Sequence, residues 1–266
     1  MNRGPTRAAF VHRLADGQRR RQPDRLVVEE PLSIQLDGRL VATTMRTPGH
    51  DFELAAGFCF GDGMLAGAPV QGIRYCADGS ATDTAFNVVT VETGGAAPTP
   101  EPRLGPTSSA CGLCGHDSIH ALTDRLEPFA GAERIDPDLL ASMPDRMRDT
   151  QTLFAATGAV HAAAAFDSSG AVVLAREDIG RHNAVDKVVG RLLLDRRLPA
   201  SGLGLCVSGR ASFEMVQKAW AAGFATLVAV SAPSALAVEL ARAAGMTLAG
   251  FVRDGAVNLY TEPGAD

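Results

Sequence analysis

Around Asp37-Gly38 apolar and polar residues alternate on both sides of a dipeptide that favours a type I′ turn, so 32–36 and 40–44 are predicted to pair as an antiparallel hairpin. The period then lengthens. In "DFELAAGFCFGDGML" apolar residues fall at helical spacing from Phe52 to Phe60, which predicts a helix with Asp51 as N-cap, Gly61 as stop and Cys59 inside the pattern. "IRYCA" and "TAFNVVTVET" read as strands, and the following Gly/Pro-rich window, "GGAAPTPEPRLGPTSSACGLCG", excludes regular structure and reads as a long loop. A short helix is predicted over 118–126, with further helical stretches up to Phe154. Beyond them, two strands flank the Asp167-Ser168-Ser169-Gly170 turn. Helices "HNAVDKVVGRLLLD", "ASFEMVQKAWAAG" and "PSALAVELARAAG" then alternate with the apolar strands "LGLCVSG", "ATLVAVSA" and "MTLAGFVR". Helices alternating with nearly continuous apolar strands indicate a sheet covered on both faces and joined by crossovers.

The fold class is therefore α/β, α+β over the whole chain. Residues 1–22 are expected to be a disordered basic arm, 23–95 a small, mostly β N-terminal domain, 96–116 a Gly/Pro-rich loop and 117–266 an α/β domain. With 266 residues, 46% hydrophobic and 21% charged, the chain has ample material for a core and no apolar run that approaches a membrane span. A formal charge of -5 speaks against general nucleic-acid binding, although arginines at 3, 7, 13, 19, 20, 21 and 25 make the N-terminus locally basic. The same region lacks the apolar core of a secretory signal, and five cysteines are an odd count for a disulfide framework. A cytoplasmic protein with reduced thiols is expected.

"TSSACGLCGHD" places Cys111 and Cys114 three residues apart among glycines, with His116 and His120 behind them. One Cys-x-x-Cys supplies half of a structural zinc site, and the two histidines would have to complete it at unusual spacing. A zinc deaminase needs His-x-Glu followed by Pro-Cys-x-x-Cys, and neither is present. A thioredoxin-like motif normally lies between a buried strand and its helix, whereas a Gly/Pro-rich loop precedes this one. Nucleophilic sulfur chemistry requires a stabilised thiolate, which backbone N–H groups around Gly112 and Gly115 and a following helix N-terminus would favour. Cys59, Cys76 and Cys206 stand alone in apolar elements, where cysteine acts as a small hydrophobe.

"AREDIGRHNAVDKVVG" interrupts the apolar rhythm at a strand-to-helix junction with Arg181, His182 and Asn183, the kind of strand end where ligands collect. A capped helix with a surface ion pair would account for Asp186 and Lys187, less readily for Arg-His-Asn. "VSGRASFEMVQKA" repeats the device: Ser208, Gly209 and Arg210 lead into a helix whose first N–H groups suit a phosphate. Neither a Walker loop nor a dinucleotide fingerprint is present. Near the C-terminus, Arg253 and the Asp254-Gly255 turn join two strand-like runs as a hairpin that is placed to close a pocket for an anionic ligand.

"CGLCG", "REDIGRHNAVDKVVG", "SGRASFEMVQKA", "VSAPSALAVELA" and "GFVRDGAVNLY", in this order, resemble the FdhD family of formate dehydrogenase accessory sulfurtransferases through most of residues 105–262. The resemblance implies a cytidine-deaminase-like C-terminal domain and a homodimer. It also implies a sulfurtransferase that takes sulfur from a cysteine desulfurase as a persulfide. The acceptor is then the molybdenum (or tungsten) of bis(molybdopterin guanine dinucleotide), which formate dehydrogenase requires. On that likeness Cys111 carries the persulfide and Cys114 assists, while Phe251, Val252, Arg253, Asp254, Gly255 and Ala256 fall on the cofactor-binding segment; for a cofactor bound across the strand ends, Arg181, Arg210 and Arg253 are expected to hold its phosphates. Ala110 stands where the family often has Ser, and Asp254 makes the segment less basic than is usual. A non-catalytic cofactor-binding chaperone or a zinc-stabilised adaptor is the alternative.

Overall fold

The computed structural model describes residues 4–76, 82, 84–100, 122, 124–130 and 135–263. Cys111, Cys114, His116, His120 and most of the helix predicted over 118–126 lie outside the described residues.

Strand β1 (Thr6–Ala15) pairs antiparallel with β2 (Gln18–Val27), so the segment expected to be a disordered arm is a two-stranded hairpin. The missed signal is Asp16-Gly17, both with positive φ, the conformation that a type I′ turn demands.

A four-stranded sheet follows, in the order β4-β3-β6-β5, from β3 (Glu30–Leu36), β4 (Arg39–Arg46), β5 (Gly72–Tyr75) and β6 (Val88–Glu92). The β3–β4 hairpin forms at the predicted turn, and β3 also pairs in parallel with β6. Helix α1 (Asp51–Gly61) packs against this sheet, burying Leu54, Ala55, Phe58 and Cys59 with Leu32, Ile34, Val89 and Val91. Its N-cap is His50 rather than Asp51. The Asp51 carboxylate is taken up by the buried Arg46 guanidinium, 3.0 and 3.1 Å away, and that bidentate pair anchors the helix start to β4.

The larger sheet has six strands in the order β12-β11-β10-β9-β7-β8. Its parallel centre is β9 (Gly204–Val207), β10 (Thr226–Ala229) and β11 (Thr247–Arg253), flanked by antiparallel β7 (His161–Phe166) and β12 (Ala256–Thr261), with β8 (Val172–Asp178) at the edge. Alternation sorts the central strands onto two covered faces. Ala163, Ala165, Leu205, Val207 and Leu227 meet helices α4 (Arg181–Leu194), α5 (Phe213–Ala222) and α6 (Ala235–Ala243), while Ala162, Ala164, Phe166, Cys206 and Val228 meet α2 (Pro137–Arg148). A short α3 (Thr152–Thr157) follows α2. The fold is α/β, as the alternation of helices and apolar strands predicts.

Helices α1 and α4 join the two sheets. Gly57 and Gly190 face each other where they cross, and an added Cβ on either would lie 2.8 Å from the backbone nitrogen of the other. Beside the crossing, Arg176 on β8 binds Glu53 on α1, with Nη2–Oε1 at 2.9 Å. Burial alone would raise the Glu53 pKa, but Arg176 and His50 outweigh it and hold the carboxyl down to about 2.

Candidate functional site

A cleft of about 940 Å³ opens where the carboxyl ends of β8, β9 and β10 meet the edge of the smaller sheet. The strands end there because the chain turns into α4, α5 and α6, whose N-termini consequently converge on one side of the sheet. Such strand-end crevices are the usual ligand positions of open α/β sheets. One wall is Thr43, Thr44 and Met45 of β4, and the other is formed by Arg181, His182, Arg210 and Ser212.

The α4 wall is fixed by a buried carboxylate. Asp178, at the end of β8, accepts from the Gly180 amide at 2.8 Å and the Thr47 amide at 3.1 Å, and pairs with the Lys187 ammonium at 2.7 Å. Asn183 donates to the Met45 carbonyl at 2.8 Å and to Asp178 at 2.9 Å, so its amide is a structural tie between α4 and β4 while the residue still lines the cleft. Asp186 and Lys187 do not form the surface ion pair considered from the sequence. Adjacent helical residues point in different directions, and both are buried with separate partners.

The partner of Asp186 is Lys218 of α5, at 2.6 Å, and Asp62 just beyond α1 lies 3.6 Å from the same ammonium. Burial disfavours the charged form of Lys218, but the two carboxylates outweigh it and keep the ammonium above its ordinary pKa. Burial also raises Asp186, to about 6, against the opposing pull of Lys218. This triad joins α1, α4 and α5 in the cleft wall. Sequence reading missed it because its members stand 32 residues or more apart and each looks like an ordinary helix-surface charge.

At the mouth, the N-cap positions of α4 and α5, Gly180 and Ser212, make no side-chain cap bond. Arg181 Nε and Ser212 Oγ are buried without a hydrogen-bond partner among the described residues. His182 Nδ1 lies 2.9 Å from Glu214 Oε2, though not in hydrogen-bonding orientation. His161, at the start of β7, is held below its ordinary pKa by burial and then by the Arg181 and His182 charges. It also borders a smaller cavity of about 380 Å³ under α2 and α3. The combination suits an anionic ligand: two exposed helix N-termini, Arg181 and Arg210 supply positive potential and unused donors.

The sequence-derived residues separate into groups. Arg181, His182, Asn183 and Arg210 line the cleft. Gly209 lies beside Arg181 and His161, and Ser208 faces the smaller cavity while its hydroxyl accepts from the Ala162 amide at 2.9 Å. The C-terminal hairpin stands apart from the cleft lining. Phe251, with φ of 51°, bonds its amide to the Ser231 carbonyl one residue before the wall at Ala232. Val252 points into the core, whereas Arg253, Asp254, Gly255 and Ala256 are exposed at the turn. Cys59, Cys76 and Cys206 are buried, Cys76 with its sulfur 2.8 Å from the Thr84 hydroxyl, and burial pushes the Cys59 thiol up to about 12.

Leu122 is buried in the core beneath α4 and α5, and Trp220 of α5 donates to the Glu127 carbonyl at 3.0 Å. The Arg125 guanidinium lies against Gly63, next to Asp62.

The profile of the FdhD/NarQ family matches residues 27–265. The chain belongs to the FdhD/NarQ family. Among its relatives, the sulfur carrier protein FdhD of Streptomyces coelicolor is 51% identical over 267 residues, covering 96% of this chain and 93% of that one. The FdhD of Mycobacterium tuberculosis is 45% identical over 261 residues, with 94% and 95% covered. In three dimensions a protein from Desulfotalea psychrophila, assigned as a formate dehydrogenase accessory protein, superimposes with a TM-score of 0.76 at 24% identity, covering 97% of this chain and 98% of its own. That likeness shows a shared fold over nearly the whole length. No helix among the described residues is long and apolar enough to cross a membrane.

Proposed function

We propose that this FdhD/NarQ-family chain is a sulfur carrier that receives sulfur from a cysteine desulfurase and passes it to the molybdenum or tungsten of a bis(pterin guanine dinucleotide) cofactor, enabling a formate dehydrogenase. It works as a cytoplasmic homodimer. In the first step the Cys111 thiolate attacks the outer sulfur of the desulfurase persulfide. That S–S bond breaks, the donor cysteine leaves as thiolate, and Cys111 holds the new persulfide; for release the Cys114 thiolate attacks the Cys111 sulfur, so that the Cys111–Cys114 disulfide forms and the outer sulfur departs at the sulfide level. The cofactor is the substrate of the second step.

The cleft is the observation that carries this reading. Its volume of about 940 Å³ is at the upper end of the ~300–1,000 Å³ typical of small-molecule sites, which suits a nucleotide-sized ligand better than a simple anion. The open N-termini of α4 and α5, with Arg181, Arg210 and the unpartnered Ser212 hydroxyl, suit a diphosphate. Leu122, eleven positions after Cys111, is buried in the core that α4 and α5 cover.

The test has two arms. Incubation with a cysteine desulfurase and cysteine should add one sulfur, ~32 Da, to the peptide containing Cys111 and none to Cys111→Ala; normal loading of that variant would sink the carrier step. With GDP as the probe, Arg181→Ala and Arg210→Ala should each weaken binding about tenfold or more, from ~1.5–3 kcal/mol per charged hydrogen bond. Unchanged GDP affinity in both variants would remove the cleft from the reading. Delivery of sulfurated cofactor by a chain lacking both cysteines would instead establish the chaperone alternative.

A further inference from the structure

The β1–β2 hairpin stands apart from the rest of the chain in charge and in packing. Residues 4–27 hold six arginines and two aspartates, a formal +4; with Arg3 set aside, the whole-chain charge of -5 leaves -10 on residues 28–266. Paired residues of a hairpin share a face. One face therefore gathers Phe10, His12 and Leu14 with Arg19, Arg21 and Arg25, and has no acidic residue. Phe10 is 66% and Leu14 77% exposed, and the Arg21 guanidinium sits 4.2 Å over the Phe10 ring. On the opposite face Arg13 pairs directly with Arg20, a like-charge arrangement that weakens a hairpin. A lone two-stranded ribbon is marginal in water even without such a cost. Its exposed rings and arginines are the composition of interface anchors.

The complementary surface lies on the same chain. Asp138 and Asp145 of α2 and its C-cap Asp149 are exposed, and their spacing of seven and four residues puts them on one helix face. The neighbouring arginines are engaged elsewhere: Arg146 donates to the Ser169 and Gly170 carbonyls at 3.2 and 3.0 Å, and Arg148 lies over Phe154. Strand β2 packs on α3, which directly follows α2, so the basic arm lies near the Asp149 end of the acidic face. A patch that contains both halves of a complementary pair is what a two-fold contact between identical chains needs, because each copy offers its arm to the other's acidic face.

We infer that the β1–β2 hairpin is a docking arm for a second copy of this chain, its Arg19, Arg21 and Arg25 face seating on the Asp138, Asp145 and Asp149 face of that copy. The inference rests on the homodimer reading and names the surface that forms it. It also explains why an Arg-rich ribbon with exposed Phe and Leu is carried on an acidic body without folding back on it.

Sedimentation of the full chain tests it. Wild type should be dimeric. The variant Arg19→Glu/Arg21→Glu/Arg25→Glu should be monomeric, and so should Asp145→Arg/Asp149→Arg, each with an unchanged circular dichroism spectrum. Mixed in equal amounts, the two variants should dimerise with each other, because every arm then meets a face of opposite charge. A monomeric wild type would overturn both this inference and the homodimer reading. Dimers that survive reversal of the arm, or variants that stay monomeric when mixed, would overturn the arm alone. A wild-type monomer that binds labelled duplex DNA through these arginines would reassign the arm to nucleic acid.

Discussion

Gly57→Ala places the crossing of α1 and α4 under direct test. In an isolated helix the change stabilises by about 1 kcal/mol, since alanine loses less backbone freedom than glycine. Here the new Cβ would meet the backbone of α4, lying 2.7 Å from the Asp186 carbonyl carbon and 2.8 Å from the Gly190 nitrogen. Ordinary contact needs 3.4 Å or more, and the Asp186 carbonyl oxygen lies nearer still, so the helices must part by more than the roughly 0.7 Å that the carbonyl carbon alone requires; a gap of about 0.5–1 Å forfeits a quarter to a half of each dispersion contact across it. No rotamer relieves a backbone clash, so the cost belongs at the upper end of the ~1–3 kcal/mol typical of overpacking. After the propensity gain the net loss is about 2 kcal/mol. Urea unfolding followed by far-UV circular dichroism should show a lower midpoint with an unchanged slope. Gly190→Ala should behave alike, and the double variant should lose less than the two singles together, because helices already parted have room for the second methyl. GDP affinity should fall as well, since Asp62 follows α1 and Asp186 belongs to α4. A midpoint at or above wild type would refute the reasoning, for it would mean that the crossing yields at no cost.

Three further outcomes follow from the buried groups. Lys218→Met strands Asp62 and Asp186 without their ammonium and should cost about 3–5 kcal/mol, the range for breaking a buried ion pair. The folded pKa of Asp186, near 6, lies above its ordinary value of 3.8, so its contribution to stability is complete below the lower value and is lost as pH rises through the higher. Chemical denaturation of Lys218→Met should therefore show a larger deficit at about pH 8 than at about pH 5; an equal deficit would mean that the carboxylates are not the stranded groups. His161 should titrate below 6.5 by NMR, and Arg181→Ala should bring it back upward; its contribution to stability is full above 6.5 and declines as pH falls toward the depressed value. Cys59 and Cys206 should resist iodoacetamide until the protein unfolds, and their rapid labelling in the native state would contradict the packing of α1 and β9.

Local grammar made much of this fold legible. Asp37-Gly38 marked the β3–β4 hairpin, and the repeated apolar strand, polar turn and helix marked the larger sheet and the edge where ligands collect. Asp16-Gly17 carried the same turn signal, but a run of arginines obscured it, since charge composition and backbone conformation are separate determinants. Arg181, His182, Asn183 and Arg210 were found because polar residues in succession at strand ends break an apolar pattern. The Lys218 triad, the Asp178–Lys187 pair and the Arg46–Asp51 pair were not, since pairing between distant segments leaves no periodic trace. Val252 shows the converse error: a segment read as ligand-binding still alternates, and its inward residues belong to the core. Asp51 was misread for a similar reason. A capping residue and a buried ion-pair partner are the same residue type at the same position, and only Arg46 distinguishes them.

The burial of Leu122 beneath α4 and α5 has a consequence for delivery. Eleven residues separate Leu122 from Cys111, and eleven residues reach at most ~40 Å along any path. A sulfur confined to a sphere of that radius averages about 6 mM within it, in line with the millimolar values of short tethers. Diluting the protein does not change that figure. On the proposed carrier role, loading Cys111 depends on meeting a donor and so on the abundance of both proteins. Unloading depends only on whether the cleft is filled. The occupancy of the cleft, not the concentration of the carrier, then sets the rate of the second step.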